Sequence, residues 1–156
     1  MNKFGQHEST PISLFRGSLS FFEAARIIQS SGQKIPYSAF GVLLAHSLEL
    51  ALKAFLLTID PDEDKLINIR HDLNKAWDLS VKDGLNLEKT PPNWCETLSA
   101  SHNAPYHFRY ARVNTAIVLP PVVQTINDLN GVLIKVADKI GLDMNGNFFN
   151  KANSSL

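Results

Sequence analysis

Apolar residues recur along this chain at the three- and four-residue steps of an α-helix, in several separate stretches. The first stretch predicts a helix from Ile12 to about Ser30, with Thr10 as its N-cap. The last predicts a helix that begins at Pro120 or Pro121 and continues to residue 140. Its apolar residues lie at alternating steps of four and three, which indicates one packing face: Val122, Ile126, Leu129, Leu133, Val136 and Ile140.

Between these two helices, residues 36–60 are apolar on almost every side of a predicted helix. A helix of this kind needs neighbours all round, so we expect it at the centre of the fold. The stretch is long enough to span a membrane, but His46, Glu49 and Lys53 interrupt it, and charged groups are costly in hydrocarbon. We therefore interpret it as the buried helix of a soluble bundle.

Two shorter helices are predicted in the second half of the chain. One begins at Asp72, a good N-cap, and ends at Gly84, and the other runs from Asn93 to about His102. The acidic residues 62–64 suggest a solvated loop or one short turn, while residues 85–92 and 103–120 lack a helical period and are interpreted as connections. The pattern predicts an all-α fold, a bundle of four to five helices.

Composition limits the classes of function. The 156 residues suit a single domain, and the 15 basic and 15 acidic residues leave no net charge to attract nucleic acid or an anionic membrane, so a nucleic-acid site has to be a local patch. Cys95 is the only cysteine, which excludes an intramolecular disulfide. The polar N-terminus does not resemble a signal peptide, so we expect a cytoplasmic protein with no membrane partner.

The first group of candidate residues is a polar seam formed by His46, Glu49 and Lys53 of the central helix, together with Asp72. Residues three and four positions apart share one helix face, and Glu49 before Lys53 is the favourable order for an ion pair. We predict that Glu49 and Lys53 are buried and paired with each other or with Arg26, His71 or Arg109. This structural interpretation is favoured over a direct catalytic role, and Asp72 is expected to act mainly as a helix cap.

The second group comprises residues suited to an anionic ligand. Arg70 and His71 precede a predicted helix N-terminus, where free amide groups favour anions. Further along the chain, the run from Tyr106 to Arg112 alternates arginine with aromatic rings. Such a run suits phosphate pairing and base stacking, but it equally suits a packed loop. The ligand-binding candidates are Arg70, His71, Tyr106, Arg109, Tyr110 and Arg112, of which Arg70, His71 and Arg109 are also the candidates for catalysis.

Several common templates are missing from the sequence. It contains no glycine-rich phosphate loop, no serine or cysteine nucleophile motif, and no closely spaced set of histidines and carboxylates for zinc. We therefore expect neither a cofactor nor a metal.

Three short elements, in this order, resemble the HEPN family of small helical domains. They are Ala45 to Leu56, in which Lys53 follows Glu49 by four residues, then Arg70-His71-Asp72-Leu73, then Tyr106 to Tyr110 before the last helix. The resemblance covers residues 12 to about 140. It implies an up-down helical bundle over residues 12–141, with residues 1–11 as an N-terminal extension. Residues 142–156 are rich in Asn, Gly and Ser, and this composition predicts a disordered tail.

The resemblance also implies a function. HEPN domains often form homodimers and have roles in RNA cleavage, in binding nucleotides, RNA or protein partners, and in bacterial defence or toxin–antitoxin pairs. Their active ribonucleases carry an arginine followed a few residues later by a histidine, whereas here Arg70 and His71 are adjacent and neither Arg109 nor Arg112 precedes a histidine. We therefore expect a homodimeric binding module, with a metal-independent ribonuclease that uses Arg70, His71 and Arg109 as the alternative.

Overall fold

The fold consists of helices joined by short connections. The computed structural model describes residues 9–110 and 116–149. Within these residues it contains helices and no strands, which confirms the predicted all-α class. The count is six rather than four or five: α1 (Pro11–Ser30), α2 (Tyr37–Ile59), α3 (Glu63–Ile69), α4 (Leu73–Lys82), α5 (Asn93–His102) and α6 (Val122–Ile140).

The additional helix is α3, in the acidic region where the sequence suggested a loop or one turn. Asp62 caps it, because its carboxylate accepts a hydrogen bond from the Asp64 amide. Two acidic residues in the first turn, Glu63 and Asp64, stabilise the helix because their negative charges lie near the positive end of its dipole. The chain then turns at Arg70, so α3 leads directly into α4.

Helix α2 is the centre of the bundle, as predicted. It contacts every other helix among the described residues, and thirteen of its residues are buried. Its length and apolar composition alone would also suit a membrane span, but most of its apolar stretch is buried against the other helices. Packing within the bundle therefore accounts for its composition.

Helices α1 and α2 pack through small polar residues. The Ser18 hydroxyl donates to the Ser47 carbonyl at 2.7 Å, and the Ser47 hydroxyl donates to the Ser18 carbonyl at 3.0 Å. Both serines are fully buried. Each hydroxyl donates to the backbone carbonyl of the other serine, so α1 and α2 approach closely while these buried hydroxyls keep a hydrogen-bond partner.

The connection after α5 folds back onto α2. The ring of Phe108 is buried directly over Gly41, where a Cβ atom would lie 2.6 Å from the ring Cζ. The Phe108 amide also donates to the carbonyl of Ser101 in α5. Phe108 thus fixes the connection after α5 to two helices, and this holds the neighbouring residues Tyr106 and Arg109 in place.

Helix α6 buries the predicted packing face against α1 and α2, with Val122 and Ile140 only partly covered at its ends. Residues 142–149, the beginning of the region expected to be disordered, form a turn on the bundle. Leu142 is buried, and the Arg16 guanidinium donates to the Gly146 carbonyl at 2.9 Å. These two contacts hold the turn against α1, and residues 150–156 lie outside the described part of the chain.

Candidate functional site

One buried carboxylate, that of Glu49, is the centre of a cluster of cationic and imidazole groups. Its Oε1 atom accepts a 2.6 Å hydrogen bond from Lys53 Nζ. Its Oε2 atom lies 2.6 Å from His102 Nε2, 3.1 Å from His71 Nδ1 and 3.6 Å from His46 Nδ1. The contacts of His102 and His71 are hydrogen bonds, whereas the His46 distance is too long for one.

Three parts of the fold supply this cluster. Helix α2 contributes His46, Glu49 and Lys53 at three- and four-residue steps, α5 contributes His102 from its last turn, and the turn before α4 contributes His71. The Ser99 hydroxyl of α5 accepts a hydrogen bond from the Leu73 amide at the start of α4. This bond fixes the two elements that bring His102 and His71 to Glu49.

The predicted pairing of Glu49 is confirmed for Lys53 and His71. Arg26 is not a partner, because it lies on the exposed side of α1 and pairs with Glu23. Asp72 caps α4 by accepting from the Lys75 amide at 3.0 Å, as expected. The partner that sequence reasoning missed is His102, whose side chain is completely buried.

Glu49 is ionised in this environment. Burial raises the pKa of its carboxyl group, but the hydrogen bond from His102, the proximity of His46 and the charge of Lys53 together lower that pKa well below its usual range. An ionised Glu49 accepts the ring N–H groups of His71 and His102. The Lys53 ammonium compensates the charge of Glu49. The same ammonium also donates a 2.6 Å hydrogen bond to the Arg70 carbonyl.

His102 is held in its neutral form. Burial is the largest cause that lowers the pKa of His102, nearby His71 and Arg109 lower it further, and the hydrogen bond and charge of Glu49 offset this shift only in part. A neutral ring that donates through Nε2 leaves Nδ1 as an acceptor, and this Nδ1 atom is buried without a hydrogen-bond partner among the described residues. Such atoms are uncommon in proteins.

From this cluster a row of rings leads to the surface. The His71 ring packs edge-on against His102 at 5.4 Å and against Tyr106 at 5.7 Å between centroids. Tyr106 in turn contacts the ring of Tyr110, which is 62% exposed, and its own ring lies 5.9 Å from the Arg109 guanidinium carbon. The structure therefore brings four of the predicted ligand-binding residues together.

Arg109 presents an exposed cation beside Tyr106 at the outer end of this row, and Arg70, the residue before His71, is also exposed. Neither guanidinium group makes an ion pair within residues 9–110 and 116–149, so neither is committed to the bundle there. Arg112, the remaining candidate, lies outside the described residues. We refer to Arg70, His71, Tyr106, Arg109 and Tyr110 as the outer face of the site.

Two residues of the outer face have unusual backbone conformations. Arg70 has a φ of 54° and Tyr106 a φ of 62°, and these are the only non-glycine residues with positive φ among those described. Left-handed backbone costs free energy for a residue with a side chain and is tolerated where the surroundings enforce it. At Arg70 this conformation accompanies the hydrogen bond that its carbonyl accepts from the Lys53 ammonium.

Comparison of the chain with protein-family models, curated proteins and solved structures finds no match. The HEPN resemblance rests on the three sequence elements alone.

The three elements that carry the resemblance lie together in space. Glu49 and Lys53 of the first bind residues of the second through His71 Nδ1 and the Arg70 carbonyl, and Tyr106 of the third packs on His71. Because Glu49 binds Nδ1, Nε2 is the nitrogen of His71 left for a ligand or a proton. The arrangement can orient an imidazole beside two arginines and two aromatic rings.

Cys95 is not part of this chemistry. Its side chain is fully buried, and burial raises the pKa of the thiol to about 12. It therefore stays protonated at neutral pH and acts as a small apolar residue of the core.

Proposed function

We propose that this chain is a HEPN-like helical module that binds phosphate-bearing ligands, a nucleotide or single-stranded RNA, on the outer face of the site. The observation that carries the proposal is the convergence of His71, Tyr106 and Arg109. These residues are far apart in sequence or in irregular segments, yet they form one continuous surface whose rings are fixed by the buried Glu49 cluster.

The chemistry of the outer face fits such a ligand. Guanidinium groups that make no ion pair within the described residues can pair with phosphate through two N–H groups, and exposed aromatic rings can stack on bases. Because the chain as a whole has no net charge, attraction has to come from this local patch. Binding should therefore be weak and should decrease as salt increases. We place the protein in the cytoplasm, where nucleotides and RNA are available.

Titration with a short single-stranded oligoribonucleotide and with ATP at low and moderate salt tests this proposal. We expect Arg109→Ala to weaken binding about tenfold or more, the effect of losing one charge-assisted contact. Arg26→Ala is the matched control, because Arg26 is equally cationic and exposed but pairs with Glu23 on α1. Absence of binding to the wild-type protein at low salt, or an equal loss in both variants, would contradict the proposal.

The alternative function, a metal-independent ribonuclease, is favoured by one observation. Glu49 binds His71 Nδ1 at 3.1 Å, which orients the ring as a carboxylate orients a catalytic histidine. In that mechanism His71 would be the general base on a ribose hydroxyl, and Arg70 or Arg109 would stabilise the phosphorane. We expect no cleavage of labelled RNA, and cleavage abolished by His71→Ala would establish the alternative instead.

We also propose that the chain is a homodimer. Apolar side chains remain exposed on α1 and α6, with Ile27 at 60%, Val123 at 59% and Ile134 at 50%. A symmetric interface would cover such residues on both copies at once. Multi-angle light scattering at micromolar concentration should give twice the 17.3 kDa chain mass, and a monomeric mass would remove the dimer. Ile134→Glu should shift the mass towards the monomer, with exposed Lys135→Glu as its control.

A further inference from the structure

Three ligand atoms of the kind that bind transition metals meet at the inner end of the site. His46 Nδ1, Glu49 Oε2 and His102 Nε2 all lie within 4.8 Å of one another. We propose that they form a binding site for a divalent transition-metal ion of the Zn²⁺ class, distinct from the phosphate contacts of the outer face. Sequence spacing could not reveal this set, because His102 lies 53 residues after Glu49 and reaches it only through the packing of α5 on α2.

The two distances from Glu49 are close to those of a zinc coordination sphere. Nitrogen and oxygen ligands bind Zn²⁺ at about 2.0–2.1 Å, which puts the ligand atoms of a tetrahedral site roughly 3.3–3.4 Å apart. Glu49 Oε2 lies 3.6 Å from His46 Nδ1 and 2.6 Å from His102 Nε2. Insertion of the ion would replace the proton between Glu49 and His102 and lengthen that one contact by less than about 1 Å.

An unsatisfied atom also supports the site. His46 Nδ1 is buried and has no hydrogen-bond partner among the described residues, although it faces the Glu49 carboxylate. Buried ring nitrogens normally have a partner. A metal ion on Glu49 Oε2 would give His46 Nδ1 a ligand bond in place of that missing hydrogen bond.

The surrounding groups determine which metal fits. Lys53 occupies the other carboxylate oxygen, so Glu49 can offer Oε2 alone, and the ammonium charge opposes a second cation. Hard cations such as Mg²⁺, which rely on several oxygen ligands, are therefore excluded in favour of ions that bind imidazole strongly. The side chains of His46 and His71 are 27% and 29% exposed, so the edge of the cluster is open to solvent.

Affinity should be modest for two reasons. Lys53 repels the ion, and a metal on His102 Nε2 puts the ring proton on Nδ1, which has no acceptor in the described structure. The test therefore uses direct titration of the untagged 156-residue chain with ZnCl₂ in a calorimeter, and with CoCl₂ followed by visible absorption. We expect one equivalent of either ion to bind, an intense absorption band for Co²⁺ in a tetrahedral site, and no binding of MgCl₂.

A variant series assigns the ligands. His46→Ala removes a partly exposed ligand that makes no hydrogen bond to Glu49, so the fold should be retained, and we expect Zn²⁺ affinity to fall by about tenfold or more. His107→Ala is the matched control, because His107 also has a buried, unpartnered Nδ1 but lies outside the cluster. No stoichiometric Zn²⁺ or Co²⁺ binding to the wild-type chain, or equal affinity in His46→Ala, would overturn the proposal.

Discussion

Replacement of Glu49 by Ala is expected to destabilise the protein by about 3–5 kcal/mol, the range observed when one partner of a buried ion pair is removed. The substitution leaves the Lys53 ammonium, which is only 14% exposed, without its carboxylate, and it removes the acceptor of both His71 and His102. A chain of this size should then melt roughly 6–20 °C lower. Thermal and urea unfolding followed by circular dichroism measure the effect.

The matched control for this prediction is Glu23→Ala. Glu23 also pairs with a basic residue on its own helix, but both partners are 57% exposed, and surface pairs of this type contribute at most about 1 kcal/mol. If Glu49→Ala melts with the wild-type protein, or no lower than Glu23→Ala, the Glu49 cluster does not stabilise the fold. Lys53→Met tests the same pair from the other side, and it should also destabilise because the Arg70 carbonyl loses its donor.

The sequence predicts the inner part of this cluster because its spacing is local. Glu49 and Lys53 are four residues apart, so they lie on one face of the helix. The helix is so apolar that an unpaired charge would be buried at a large cost, and this predicts that the two residues pair. His102 is different, since it ends a short helix in which nothing in the sequence marks one face as buried against α2. Its role depends on the crossing of α5 and α2, and a crossing is a property of tertiary packing that local periodicity does not contain.

The same distinction applies to the fold. Helices α1, α2, α5 and α6 have strong periodic patterns or clear caps, and their predicted bounds agree with the structure to within one or two residues. Helix α3 has only seven residues and too few apolar positions to establish a period, so its capping and first-turn charges were the only signals, and they were interpreted as a solvated turn. Residues 142–149 form a turn although their composition predicted disorder, because Asn and Gly suit a tight turn as well as a disordered segment.

The outer face shows where composition gives residues but not geometry. The alternation of arginine and aromatic residues after residue 105 was equally consistent with a packed loop and with a ligand surface. The structure divides these roles between side chains: Phe108 is 4% exposed and anchors the segment, whereas Tyr110 and Arg109 are exposed. The anchor depends on Gly41, which leaves room for the Phe108 ring on α2.

Gly41→Ala should therefore affect both stability and the outer face. The new Cβ would lie 2.6 Å from Phe108 Cζ and closer still to Cε1, and Gly41 is in the interior of α2, where the backbone cannot easily move. Overpacking of this kind typically costs about 1–3 kcal/mol, and the higher helical propensity of alanine offsets up to about 1 kcal/mol of it, so we expect a net loss of up to about 2 kcal/mol. Urea unfolding of the variant measures it.

Gly131→Ala is the control that separates packing from helix propensity. Gly131 also lies inside a long helix, but a Cβ there meets no atom within 4 Å, so the substitution should stabilise the protein by about 0.5–1 kcal/mol. Opposite signs at the two glycines would show that Phe108 is seated on Gly41. A Gly41→Ala protein as stable as Gly131→Ala would mean that the ring can leave its position without cost. Tyr106 and Arg109 would then not be held beside His71, and the outer face would lose the rigidity on which the proposed phosphate site depends.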